Sequence, residues 1–414
     1  MSLDFAPGTW LSRLWERLPA WFSWSVFAAS SMFSVVFYTR PGNRYGIDLD
    51  VYREAAIALF GSSNVYDLTF TPSILPFTYT PFAGLLFQVV RPFPAGAAQT
   101  LWAIVSIACL YAVVRAVMPD RLARRSAAAA LIAAVALWFD PVMNTMSFGQ
   151  VNLFIMAAVV FDIALVRNRR WSGVLVGAAT AVKLTPGIFI LYLLISGRRR
   201  DAINAIASAA ALTLLAFAIL PQETRTFFFS GTGTDPSRVG PQEFIGNQSL
   251  HGVLVRWSDA AVWGERVWLV SALVFGLLGL LLARRLDRAG HRPLAVLTVG
   301  LLGCLVSPVS WTHHFVWVVP MVVLIAYTSL PLRRRGLVQT AWVLLFLVHP
   351  IWFLPTGRGV EFGYGWWQDV VAAAYPIALI ALGGWLFEAL RNAERASLAG
   401  VAVAEPVAAT RDER

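Results

Sequence analysis

The sequence predicts an all-α polytopic membrane protein, and three observations predict it. Of 414 residues, 58% are hydrophobic and 14% charged, and the apolar residues gather into runs of about 17–25, long enough to cross a bilayer as helix. Runs such as Ala97–Met118 and Val267–Ala283 are apolar on every face, without the alternation a barrel strand needs. Arginines separate the runs in short clusters: Arg121, Arg124 and Arg125; Arg167, Arg169 and Arg170; Arg198–Arg200; Arg284, Arg285 and Arg288; Arg333–Arg335. This is the positive-inside pattern of a multi-pass protein. It accounts for the net charge of +10 without a nucleic-acid partner.

With every cluster on the cytoplasmic side, ten full spans fit: 18–38, 97–118, 126–139, 151–166, 202–220, 266–283, 294–308, 314–330, 337–354 and 369–390. The first follows Arg13 and Arg17, is too long for a signal h-region and lacks a small-x-small cleavage site, so it is expected to be retained. Residues 79–94 and 171–196 would each reverse the orientation if they crossed singly. Both are expected as broken hairpins, the first interrupted by Pro81, Pro92 and Pro94 and the second by Lys183 and Pro186. Two half-helices of about 12 residues, each rising about 18 Å, would carry Lys183 deep into the protein. A single span there, with one arginine cluster outside, is the alternative. One membrane domain over 18–390 results, giving about 10–12 membrane helices with the broken segments, between flexible cytoplasmic ends 1–17 and 391–414. The outer face then collects 39–79, 140–150, 221–265, 309–313 and 355–368. Cys109 and Cys304 lie inside apolar runs and read as packing residues, so neither disulfide nor thiolate metal site is implied.

The polar residues on that outer face are the candidates for chemistry. After the first span come Asp48 and Asp50, at the start of a segment, Asp48–Phe60, with Val51, Ala55, Ala58 and Leu59 on one side and Arg53 and Glu54 opposite. That pattern suits a short helix lying at the interface. Each acid is a candidate general base, cation ligand or helix N-cap. Asp-x-Asp also matches the metal-binding spelling of nucleotide-sugar transferases, but no further acid cluster supports a metal site. His313 and His314, in Ser307-Pro308-Val309-Ser310-Trp311-Thr312-His313-His314, fall on the same face. Adjacent helical residues diverge by about 100°, so one imidazole is expected inward, as proton carrier or phosphate donor. The other is expected toward the interfacial aromatics. Lys183 sits inside an apolar stretch, where an unpaired charge costs about 2.5–3.5 kcal/mol. It needs an anionic partner, either a carboxylate or a ligand phosphate. Gln150 and Asn152 offer amides for hydroxyls, although Asn152 also suits a helix cap. The loop 221–265, with Arg225, Arg238, Arg256 and several glycines, is fit to cover a polar ligand.

Taken together, Asp48-Leu49-Asp50-Val51-Tyr52, Gly61 and Tyr66, Tyr79-Thr80-Pro81, Gly149-Gln150-Val151-Asn152, Lys183-Leu184-Thr185-Pro186 and the run ending in His313-His314 resemble glycosyltransferase family 87. The resemblance runs in order over residues 20–390. Within the family it is strongest to α-mannosyltransferases of phosphatidylinositol mannoside, lipomannan and lipoarabinomannan assembly; arabinofuranosyltransferases share much of the pattern. The resemblance implies a GT-C fold in the plasma membrane of an actinobacterium, with an extracytoplasmic active site. It further implies a polyprenyl-phosphate sugar donor, a glycolipid acceptor and an acid of the first outer loop as base. Asp48 aligns best with that acid, and His313 or His314 with the donor phosphate. Inverting transfer of mannose from a β-linked donor, in α-1,2 linkage, needs one displacement. Lys183, His314 and an outer-loop arginine such as Arg238 would stabilise the departing phosphate, with Asp50, Tyr52, Gln150 and Asn152 beside the substrates. No cofactor or metal is implied. A lipid-linked-sugar flippase or transporter is the alternative of another class, since it too would hold broken helices and a lysine at depth.

Overall fold

In the computed structural model, residues 9–40, 45–71, 74–120, 122, 124–165 and 170–404 are described; Arg121, Arg167 and Arg169 lie outside them. The first described element is a short amphipathic helix, α1 (Trp10–Arg17), within the N-terminal segment 1–17, of which residues 1–8 lie outside the described residues. It is tied down by Trp15, buried and donating to the Tyr327 hydroxyl at 2.7 Å, and by Thr9, which donates to Gln339 at 2.5 Å. The first apolar run becomes α2 (Ala20–Thr39), about 30 Å long at 1.5 Å per residue. After it comes the loop helix α3 (Ile47–Ala58).

Residues 79–94 do not form a hairpin of two half-helices. Pro81 starts a helix of six residues, α4 (Pro81–Leu86), which Thr80 caps by accepting from the Ala83 N–H at 3.1 Å. A tight turn over Phe87–Val89 ends it, because Pro92 and Pro94 cannot continue a helix. Ahead of it, β1 (Thr69–Phe70) and β2 (Leu75–Pro76) make a two-residue antiparallel pair.

The long helix α5 (Ala95–Val117) returns the chain to the arginine side, and α6 (Arg125–Ala136) and α7 (Asp140–Phe148) follow with a bend of 76° between them. Helix α6 covers most of the expected span 126–139 and ends before Asp140-Pro141, whose ring cannot sit in a helix interior but fits the first turn of α7. Then come α8 (Asn152–Val159), α9 (Val174–Val182), α10 (Ile188–Ile195) and α11 (Arg199–Ile219). Here the broken hairpin is present. Gly173 abuts Asp201 and Gly177 abuts Ala205 and Ser208, so α9 runs parallel to α11, while α10 leads straight into it. Arg198 reaches Ser172 at 3.1 Å, closing the base of the hairpin. A Cβ on Gly177 would lie 2.2 Å from the Ala205 carbonyl oxygen, so this close packing requires glycine.

The outer loop carries α12 (Pro221–Phe229) and α13 (Leu250–Trp257), and the remaining helices are α14 (Val262–Arg288), α15 (Arg292–Val306), α16 (Val318–Tyr327), α17 (Arg335–Val348), α18 (Trp366–Ala372) and α19 (Ala374–Ala404). Helix α19 extends past residue 391, where a flexible tail was expected. Among the described residues five helices are long and apolar enough to cross a membrane: α2, α5, α11, α14 and α19. The other expected spans are shorter apolar helices. Two of them, α15 and α16, form the buried centre, with Leu294–Leu302 and Val318–Tyr327 nearly free of solvent contact. By contrast α14 turns Leu269, Leu273, Leu277 and Leu278 outward. A helix apolar all round is either central or lipid-facing, and both kinds occur here.

Two ends can now be distinguished. Arg124 donates to the Leu18 carbonyl at the start of α2, and Arg285 pairs with Glu394. At the far end of α2, Gly46 N–H donates to the Ser147 carbonyl at 2.8 Å, where α3, α7 and the tip of the α9–α10 hairpin come together.

Candidate active site

Helix α3 begins at Gly46, in the left-handed region at φ 40°, so neither Asp48 nor Asp50 is its N-cap; both lie in its first turn. Its buried face is Leu49, Val51, Tyr52, Ala55, Ala56 and Leu59. That face rests on the turn between α7 and α8. Gly149 there has φ 73°, and a Cβ on it would come within 2.5 Å of Leu49 Cβ. Only glycine permits this approach, and the approach places Gln150 beside α3. The Gln150 side-chain oxygen lies 2.9 Å from the hydroxyls of both Tyr52 and Tyr79, which are 2.7 Å from each other. With its oxygen held by phenols, the amide turns its N–H₂ to the Asp48 carboxylate, to which it is hydrogen-bonded. Burial pushes Asp48 up to about 6, against the Gln150 hydrogen bond and the charge of Lys183, which both pull it down. A carboxylate so placed is poised to exchange a proton near neutral pH.

Lys183 ends α9 in extended conformation at the hairpin tip. Its ammonium lies 3.0 Å from His314 Nε2, 3.4 Å from Asn152 Oδ1 and 5.4 Å from the centre of the Tyr79 ring. Since an ammonium only donates, His314 Nε2 is the acceptor and that nitrogen carries no proton. The ion pairs among the described residues do not include Lys183. Asn152 is not the cap of α8, which Val151 supplies. It bridges instead, donating to the His313 carbonyl at 2.9 Å while facing Lys183. A cavity here is lined by the polar Lys183, His314, Asn152, Ser310 and Thr185 together with apolar side chains such as Ile155, Ile188, Phe189 and Trp317. A lining that mixes a cationic and polar group with apolar side chains suits a ligand with an anionic head and a hydrocarbon tail.

The structure thus brings together Asp48, Tyr52, Gln150, Asn152, Lys183 and His314. His313 stands apart from the polar lining. It is buried, edge-on to Phe148 and His314, and neither ring nitrogen has a hydrogen-bond partner. Arg238 reaches the site only at second hand, donating to the Tyr66 carbonyl at 2.7 Å while the Tyr66 hydroxyl donates to the Tyr79 carbonyl at 2.8 Å. Asp50 is half-buried in the first turn of α3. Among the described residues no three His, Cys, Asp or Glu side chains converge as a metal ligand set. Tyr79 was not among the expected site residues, although it joins both halves of the site. Its signal was the Tyr79-Thr80-Pro81 run, a helix start displaying a phenol one residue ahead of the cap.

A membrane-embedded glycosyltransferase is the class this arrangement defines, and the comparisons agree. The model of glycosyltransferase family 87 matches residues 77–308, and the chain belongs to that family. Among its relatives is the polyprenol-phosphate-mannose-dependent α-(1-2)-phosphatidylinositol pentamannoside mannosyltransferase of Mycolicibacterium smegmatis, 34% identical over 84% of this chain and 87% of the relative. Its Mycobacterium tuberculosis namesake is 33% identical over 84% of this chain and 83% of its own length. A second M. tuberculosis relative, named as an α-(1-2)-phosphatidylinositol mannoside mannosyltransferase with the same donor dependence, is 31% identical over 86% and 88%. No solved structure matches the chain. Family membership removes the flippase alternative.

Proposed function

We propose that this glycosyltransferase moves mannose from polyprenyl-phosphate mannose to a mannosylated phosphatidylinositol, forming an α-1,2 bond with inversion, at the extracytoplasmic face of the plasma membrane. The convergence of Asp48 with the Lys183–His314 pair carries the reading, and the relatives' names supply the sugar, the lipid carrier and the linkage. Asp48 takes the proton of the acceptor hydroxyl as that oxygen attacks the anomeric carbon. The bond from that carbon to the phosphate oxygen breaks, and its electron pair leaves with the polyprenyl phosphate. Lys183, with His314 and Asn152 behind it, faces the charge that develops there, a use of fixed charge worth about 10²–10³ in rate per group. The apolar side chains of the cavity take the first isoprene units. One domain, 18–390, holds the whole reaction, and the arginine-rich end faces the cytoplasm.

The test is sugar transfer by the purified chain with polyprenyl-phosphate mannose and a phosphatidylinositol tetramannoside acceptor. Expected is a product with one added mannose that an α-1,2-specific mannosidase removes. A product resistant to that enzyme would refute the linkage, and turnover only with an arabinose donor would refute the sugar.

A further inference from the structure

The end of the molecule opposite Asp48 carries a second cavity that the transfer reaction does not use. It is an open surface pocket lined by Arg333, Arg334, Leu337, Val338, Trp385 and Glu388. At this end several arginines are paired by the protein itself. Arg125 pairs with Asp120, Arg198 with Asp201 at 2.6 Å, Arg285 with Glu394 and Arg292 with Asp287 at 2.9 Å. Arg333 and Arg334 are exposed and take part in no ion pair among the described residues, as is true of Arg199 and Arg200, but unlike that pair they line a pocket. The backbone that carries them is nonetheless fixed. The Trp385 indole N–H donates to the Arg333 carbonyl at 3.0 Å, and Arg335 donates to the Ala326 carbonyl at 3.2 Å. Two unpaired guanidinium groups on an ordered turn, above Leu337, Val338 and an indole, combine a phosphate-binding fork with an apolar shelf.

The neighbouring α1 presents exposed apolar side chains at the same end. Trp10 and Leu14 are more than half exposed, with Arg13 and Arg17 beside them in solvent, and Trp10 lies against Gly336 at the start of α17. An interfacial helix next to a basic pocket between spans is the arrangement that holds anionic headgroups. We propose that the Arg333–Arg334 cavity binds the phosphate of an anionic glycerophospholipid, with Leu337, Val338 and Trp385 against the first carbons of its acyl chains. Glu388, exposed at the rim, accepts from headgroup hydroxyls. The lipid would tie α17 to α19 from outside, independently of sugar transfer.

The test is thermal unfolding of the full chain in a non-ionic detergent with added phosphatidylglycerol, phosphatidylcholine or inorganic phosphate. Wild type should gain stability with phosphatidylglycerol alone. R333Q/R334Q should lose more than half of that gain, while R199Q/R200Q, an exposed pair at the same end, should keep it. R333K/R334K, which keeps the charge without the fork, should fall between and serves if the glutamine variant does not fold. An equal loss in R199Q/R200Q, an undiminished gain in R333Q/R334Q, or the same gain from inorganic phosphate would overturn the proposal.

Discussion

Asp140 and Lys183 are both charged side chains set among apolar helices, and their surroundings differ in kind. Asp140, 4% exposed, is answered on both oxygens: Trp352 Nε1 donates at 2.6 Å, Asn144 Nδ2 at 2.9 Å and the Tyr375 hydroxyl at 2.9 Å. Its charge joins α7 to α19 and to the turn that follows α17. Lys183 has one imidazole nitrogen, one amide at the edge of hydrogen-bonding range and a cavity beside it. A buried charge fully matched by the protein is structure. One matched only in part, as at the half-buried Lys183, is available to a ligand, and this separates the two.

The sharpest break of that comparison comes from the base. Asp48→Asn should lower kcat by about 10²–10⁴-fold with an unchanged melting temperature, measured by sugar transfer and thermal unfolding on one preparation. Lys183→Met should lower kcat/KM by about 10²–10³-fold and leave stability equal or higher, since it removes a partly matched charge. Asp140→Leu should do the reverse, losing several kcal/mol because three donors are orphaned at about 1–3 kcal/mol each, while the folded fraction turns over normally. If Lys183→Met unfolded the protein, or Asp140→Leu abolished turnover in folded protein, the distinction would fail.

Smaller effects sharpen it. Asp48 is held up by burial and pulled down by Gln150 and Lys183. Gln150→Leu should therefore move the acidic limb of kcat/KM above about 6, and Lys183→Met should move it the same way. Tyr375→Phe should cost about 1.5–3 kcal/mol as one hydrogen bond to a charged group, read by denaturant unfolding. Asp50→Asn should stay close to wild type in the transfer assay.

Much of this was legible in the sequence, for identifiable reasons. Apolar runs bounded by arginines mark helices whether central like α15 or peripheral like α14, so the fold class was secure while the number of full crossings was not. Lys183 with Pro186 marked the hairpin because both are costly within a membrane helix. The hairpin expected at 79–94 failed because the three prolines leave room for only one short helix. The pair Asp48 and Asp50 stood out by its place after the first span, but that Asp48 is the one that meets Gln150 depends on the Gly149 turn reaching Leu49. No local pattern encodes that contact. Tyr79 and the idle His313 are likewise set by packing between segments far apart in the chain.

The central claim is that Asp48 removes the acceptor proton, and the pH dependence of kcat/KM tests it most directly. In wild type, kcat/KM should rise tenfold per unit below an inflection near 6, where burial places Asp48, and level off above it. The residual activity of Asp48→Asn should lose that inflection. An inflection of the same position and slope in Asp48→Asn would contradict the account, because another group would then be taking the proton.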